Sequence, residues 1–263
     1  MATVVVVVAL SPAAAQAAPA PLSFDATVVT IAGASPQGIA TSDFNGDGHL
    51  DLATANEGVG GASGGVEILL RDVSGGFKDH GEIPAGTNPI SLDVGEFNGD
   101  GHVDLVVANH GSDDVSILLG AGDGTFSAGA SYAAGGGPAC PNPSTSEPDA
   151  VKVGFLNADA IPDLVVASTG CNSVSVLLGL GDGTFGPATS FAAGITPDAL
   201  ATADVNLDGK LDVVAPNSST AGATVLLGSG DGTLTALATP VFTRGSGIGF
   251  TEVAAGDLNG DGK

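Results

Sequence analysis

A nine-residue segment returns at near-constant spacing and governs what this chain can fold into. It reads DFNGDGHLD at residues 43–51, EFNGDGHVD at 96–104, FLNADAIPD at 155–163 and DVNLDGKLD at 204–212, and its first seven positions recur as DLNGDGK at 257–263. Counted from Asp43, Glu96, Phe155, Asp204 and Asp257, the periods are 53, 59, 49 and 53 residues. Repeats of this length are structural units that stack on one another, because a single unit cannot bury its apolar face. Each period is filled in one order. An apolar run follows the segment (DLATAN, DLVVAN, DLVVAS, DVVAPN), then a polar turn, then VEILL, VSILL, VSVLL or ATVLL. A GDGT turn closes that run at Gly122, Gly181 and Gly230, with SGGF at Ser74 in its place in the first period. A stretch rich in small residues comes next, and a proline lead at Pro36, Pro89, Pro148 or Pro197 re-enters the segment.

Each period therefore holds four short β-type runs and no helical periodicity. Four strands per unit of about 50 residues predict an all-β chain, a β-propeller of four-stranded antiparallel blades. Independent hairpins or a parallel β-helix are the competitors, and β-helix repeats are much shorter. About four blades and a truncated fifth are predicted over residues 18–263. The stretch FDATVVTIAG at residues 24–33 lines up with the fourth run of later periods. In a closed ring it would complete the last blade and remove an exposed sheet edge, so the chain reads as part of a longer ring.

The segment itself presents oxygen at alternate positions. Asp43, Asn45, Asp47, the backbone carbonyl of His49, and Asp51 form the first set. Glu96, Asn98, Asp100, His102 and Asp104 form the second, and Asp204, Asn206, Asp208, Lys210 and Asp212 the fourth; His102 and Lys210 also contribute only their carbonyls. The fifth offers Asp257, Asn259 and Asp261. A hard cation taking about six to eight oxygens at about 2.3–2.6 Å suits such a set, which points to Ca²⁺ rather than octahedral Mg²⁺. An EF-hand is excluded, since its twelfth-position Glu is replaced by Thr54, Val107 or Ala215 inside a strand pattern. Asn-Gly and Asp-Gly also favour hairpin turns without metal, but a turn explains only the central residues and not three acids that repel one another. The third segment retains Asn157, Asp159 and Asp163, with Phe155 in place of the first acid and Ala160 in place of the bend glycine. Weak or absent binding is predicted there.

Composition narrows the partners. Six Lys and Arg against 29 Asp and Glu give a net charge of −23, which repels nucleic acid and anionic membrane surfaces. The hydrophobic fraction of 43% is too high for a disordered acidic chain. Residues 1–17 read as a signal peptide, with an apolar run too short to span a bilayer and an Ala15-Gln16-Ala17 cleavage pattern, although no Lys or Arg precedes the run. A plain Ala/Pro tail is the alternative. Cys140 and Cys171 have no C-x-x-C or histidine partners, so a single disulfide in an oxidising compartment is the expectation over zinc or redox chemistry.

Together, the aspartate-rich loop and the DLVVAN-like and VSVLLG-GDGTF runs resemble the FG-GAP/VCBS repeat family, β-propeller repeats of integrin alpha subunits and secreted bacterial proteins. The resemblance covers nearly everything after residue 22. It implies a ring of about seven blades, with the loop joining first and second strands and calcium stiffening one rim. It further implies an extracellular recognition or adhesion module for a glycan or protein, and the residues themselves show no catalytic constellation. A propeller domain of a carbohydrate-active enzyme such as a lyase or dehydratase, and a non-binding scaffold, are the alternatives. Four-stranded meander topology would bring the connections carrying Cys140 and Cys171 to the face opposite the calcium loops. Among the histidines, His49 and His102 fall in the loops, His110 in a solvated turn and His80 in a strand-like stretch.

Overall fold

Every period folds into one antiparallel sheet of four strands, in sequence order from the inner to the outer strand. The computed structural model describes residues 35–58, 64–140, 142–219, 222–237 and 253–255, with the backbone strands Val5–Val7, Thr27–Val29 and Phe242–Thr243. The first blade comprises Pro36–Ser42, Asp51–Asn56, Gly65–Arg71 and Phe77–Pro84. The second comprises Pro89–Gly95, Asp104–Asn109, Asp114–Gly120 and Phe126–Ala133. Pro148–Gly154, Asp163–Ser168, Ser173–Leu177 and Thr189–Ala192 make the third. The fourth has Ala201–Ala203, Asp212–Asn217, Gly222–Gly228 and Leu234–Ala236, and Phe242–Thr243 pairs with the far end of its third strand. Among the described residues the four sheets do not close into a ring. Among the described residues no helix is long and apolar enough to cross a membrane.

Burial explains the sequence pattern of each strand. Second strands are buried along their whole length in all four blades. Both faces of such a strand are covered, so it reads as a continuous apolar run rather than an alternating one. Outer strands such as Phe77–Pro84 and Phe126–Ala133 are mostly exposed, which is why they tolerate Gly, Ser and charge. The core is distributed between blades. One cluster joins Ala53, Val66 and Ile68 of the first blade to Leu92, Leu105 and Leu118 of the second. Equivalent clusters unite the second with the third blade and the third with the fourth. At the inner strands, Val151 and Val153 donate their amides to Ser91 Oγ (3.2 Å) and Asp93 Oδ2 (2.9 Å) of the preceding blade. Side chains of one blade thus satisfy the edge amides of the next.

Two sequence expectations are altered. The run beginning at Phe185 becomes a ladder only over Thr189–Ala192, with an isolated bridge from Phe185 to Gly179; Pro187 lies between them and has no amide to donate. Residues 24–33 do contain a strand, Thr27–Val29, but its partner is Val5–Val7 rather than a last blade. Valine-rich segments on both sides supply that pairing. The cleavage pattern at residues 15–17 and the fifth loop lie outside the described residues.

Cys140 and Cys171 form a disulfide with a Cα–Cα distance of 5.2 Å. It ties the long connection between second and third blades, which carries the short 3-10 turn Pro143–Thr145, to the turn between the third blade's second and third strands.

Candidate functional site: a loop rim stapled across blades

One rim carries both the aspartate-rich loops and the GDGT turns, since each lies where the chain passes outward from strand one to two or from three to four. In the first loop, Asp43 Oδ1 accepts from the Asp47 amide (3.1 Å) and Oδ2 from Gly48 (2.8 Å). Asn45 Oδ1 accepts from the same Asp47 amide (3.0 Å), which gathers the first- and third-position oxygens around one nitrogen. Asp47 Oδ1 takes the His49 amide (2.8 Å). The fourth loop repeats the pattern, with Asp204 capping Asp208 and Gly209 and with Asn206 and Asp208 in the same roles. Glu96, one methylene longer, curls back onto the Asn98 and Gly99 amides instead, while Asn98 and Asp100 keep their roles. The third loop has Asn157 and Asp159 in place, but Phe155 offers no oxygen and is 57% exposed. Ala160 sits there at φ 61°, the left-handed region where glycine serves the other loops; this costs an L-residue roughly 1–2 kcal/mol. Leu207 in the fourth loop shares that strain at φ 61°.

The ninth-position aspartate behaves differently from the others. Asp51, Asp104, Asp163 and Asp212 are fully buried, and each is gripped by backbone amides on both oxygens. Oδ2 accepts from the second residue of its own loop: Phe44 (2.9 Å), Phe97 (2.8 Å), Leu156 (2.8 Å) and Val205 (3.0 Å). Oδ1 accepts from the end of the third strand: Arg71 (2.7 Å), Gly120 (2.8 Å), Gly179 (2.9 Å) and Gly228 (2.8 Å). Sequence reasoning counted this acid only as a ligand. Its survival in the degenerate third loop, after Phe155 and Ala160 had displaced residues of the metal pattern, was the available signal of a second role.

That second role extends to the neighbouring blade. The second loop residue, whose amide the aspartate holds, turns its carbonyl to the next blade's GDGT turn. Phe44 O accepts from Gly124 (2.9 Å), Phe97 O from Gly183 (2.7 Å) and Leu156 O from Gly232 (3.0 Å). Side chains follow the same line. Phe44 meets Phe126 edge-on at 5.5 Å between centroids, and Phe97 meets Phe185 at 5.3 Å. Leu156 and Leu234 share the core cluster at the third joint. A Cβ placed on Gly122, Gly181 or Gly230 would strike His102, Ile161 or Lys210, so the seventh-position side chain of each of these loops lies over the turn of its own blade.

Electrostatics divides these acids into two groups. Burial pushes Asp51, Asp104 and Asp163 above the usual carboxylate value against the pull of their backbone amides, and the fifth-position charges Asp47, Asp100 and Asp159 push them further. Asp43 and Glu96 add to that repulsion in the first two loops. By contrast, Asp123, Asp182 and Asp231 in the GDGT turns are held low by the hydroxyls and amides of Thr125, Thr184 and Thr233. Among the described residues no group of three His, Cys, Asp or Glu side chains is drawn together as a metal cluster, the loop oxygens resting on loop amides instead. The donor chemistry nonetheless fits a hard cation: every group is oxygen, and an oxygen bonded to one amide retains a second lone pair.

Elsewhere, His110 pairs with Asp149 across the second joint at 2.7 Å, so it is not merely a solvated turn residue. His80 lies at the bulge in the first blade's outer strand, facing the charge of Asp123.

Successive four-stranded blades, with a stapled loop rim at their joints, define a β-propeller module. The FG-GAP-like repeat model matches residues 43–107, 96–146, 156–215 and 204–263, and the chain belongs to that family. No curated protein matches it. Solved structures resemble it at the level of the fold. A protein from Lactobacillus plantarum has a TM-score of 0.61 at 17% identity, covering 82% of this chain and 58% of its own. A functionally unknown protein from Desulfotomaculum acetoxidans has a TM-score of 0.58 at 16% identity, over 81% and 58%. The chain therefore spans less than three fifths of the length of either.

Proposed function

We propose that this chain is a secreted, calcium-binding propeller module whose role is extracellular recognition or adhesion, with a glycan or protein as ligand. One observation carries the calcium reading. In the first and fourth loops the first-position carboxylate and the third-position amide oxygen converge on the fifth-position amide, so oxygens from alternate residues are already gathered about one point, as a hard cation requires. Asp43, Asn45, Asp47, Asp51 and the His49 carbonyl would hold the ion in the first loop, and their counterparts would do so in the second and fourth. Bound there, calcium supplies charge neutralisation and stiffness rather than chemistry. The secretory reading rests on the leader pattern and the disulfide.

Recognition is favoured over catalysis by the distribution of reactive groups. His49 and His102 belong to loops, His110 is engaged by Asp149, and His80 stands on an outer strand. Calorimetric titration of calcium into the chelator-stripped chain tests the proposal, with thermal unfolding in parallel. About three ions and a raised Tm are expected from the three intact loops. A folded chain that takes up no calcium overturns it.

A further inference from the structure

At each joint between blades, the outer strand of one blade faces the GDGT turn of the next, and the residue at one position of that strand differs from joint to joint. In the second blade it is Tyr132, which pairs across the sheet with Val115; the equivalents are Ile83 opposite Val66 and Phe191 opposite Val174. Tyr132 reaches across the joint to the third blade. Its ring meets Phe185 edge-on at 5.7 Å, and its hydroxyl oxygen accepts the Phe185 amide at 3.0 Å. Phe185 is left 6% exposed. At the third joint Phe191 packs into the core and Leu234 is 6% exposed, yet with no phenol there a groove of about 290 Å³ remains, lined by Val176, Leu178, Pro187, Thr189 and Thr233.

The first joint lacks the phenol too, and of the two open joints it is the one whose turn is followed by an aromatic residue, Phe126 rather than Leu234. Ile83 has neither the length nor the hydroxyl to reach Phe126, which remains only half-buried. The space left is a groove of about 180 Å³ lined by Ile68, His80, Gly81, Ile83, Thr125 and Phe126, with Glu82 at its edge. A Cβ added to Gly81 would meet nothing within 4 Å, so the groove opens beside it. Its aliphatic and aromatic walls carry polar groups at the mouth.

We propose that this groove is a docking site for a tyrosine side chain presented by a partner protein. The occupant is identified by the molecule's own precedent. One joint along, on the same scaffold, the equivalent space is closed by a phenol that stacks on the residue after the turn and accepts its amide. A tyrosine from outside would stack on Phe126 as Tyr132 does on Phe185, and would present its hydroxyl to the turn beside Thr125. This deepens the recognition reading and takes its biological sense from it, while the groove itself is independent of calcium.

The test is a titration of the full isotope-labelled chain, followed by amide chemical shifts, with N-acetyl-tyrosinamide and, separately, N-acetyl-phenylalaninamide. Saturable shifts of the Gly124, Thr125 and Phe126 amides are expected with the tyrosine amide at millimolar concentration. The equivalent Gly183, Thr184 and Phe185 amides, already covered by Tyr132, should stay still. Ile83→Tyr should fill the groove internally, raise the Tm and reduce the response at least tenfold. The titration of the unaltered chain stands alone should that variant not fold. No response, an equal response to the phenylalanine amide, or equal shifts at both joints overturns the proposal. A chain that binds calcium but ignores the tyrosine amide defeats the groove alone, whereas the converse result defeats only the calcium reading.

Discussion

A single carboxylate in each unit does two jobs that the sequence shows as one. Asp163 makes this visible because its loop has lost the first-position acid, yet its oxygens still hold the Leu156 and Gly179 amides. Replacing it with Asn presents an NH₂ group to one of those amides and leaves a buried donor unmet. Such a loss costs about 1–3 kcal/mol, offset in part because burial already disfavours the charge of Asp163. Asp163→Asn should therefore lower stability by about 2 kcal/mol in urea unfolding, within that range. The same loss should appear with and without chelator. If the loss is seen only when calcium is present, the aspartate acts through a metal and not as a staple.

At the level of the element, the joint between blades is the energetic unit. Phe97 has its amide held by Asp104, its carbonyl by Gly183 and its ring against Phe185, and it is 2% exposed. Phe97→Ala should cost about 3–5 kcal/mol, the usual range for emptying an aromatic site in a packed core. A loss below about 1 kcal/mol in denaturant unfolding, far under that range, would show that the joint is not cooperative. The blades themselves were legible from the repeat, because a buried second strand must read as an apolar run and a GDGT turn must fall between third and fourth. What the sequence concealed were contacts between periods. Nothing in DFNGDGHLD says that the carbonyl of Phe44 will accept from Gly124, since that partner lies in the next unit. Nor do the proline leads reveal that Ser35, Asn88, Glu147 and Thr196 before them adopt left-handed backbone. A residue before proline is ordinarily extended, and in the exception each of these four turns its carbonyl to an amide of its own blade, those of Glu57, His110, Thr169 and Ser218. The candidate loop oxygens were legible by spacing, whereas their hydrogen bonds to loop amides were not.

Across the whole molecule, acid titration and metal should act on the same joints in the same direction. Asp51, Asp104 and Asp163 have folded pKa values raised above 3.8. Their contribution is fully present below 3.8 and is lost as pH rises through the folded values, because over that interval the native state binds more protons. Asp100, Asp123, Asp182 and Asp231 are lowered, and their contribution is lost only as pH falls below 3.8. In chelator, the Tm should therefore rise as pH falls through the folded values of these three aspartates, before acid unfolding sets in below 3.8. High salt screens the general repulsion of 29 acids but leaves the buried part of this rise. A Tm that falls monotonically from neutral pH at high salt contradicts the assignment. Calcium should replace the proton as the neutralising charge, but only where a first-position acid exists. An ion binding only the folded loop at a hundredfold excess over its Kd adds about 2.7 kcal/mol per site. The first two loops fasten the first and second joints, while the third joint depends on a loop whose first position is Phe155. Amide exchange should therefore slow on adding calcium at Gly124 and Gly183, which bond to Phe44 and Phe97, and change little at Gly232, which bonds to Leu156. Equal protection at all three glycines would mean that calcium, if it binds, stiffens the module globally and that the loops do not set their joints one by one.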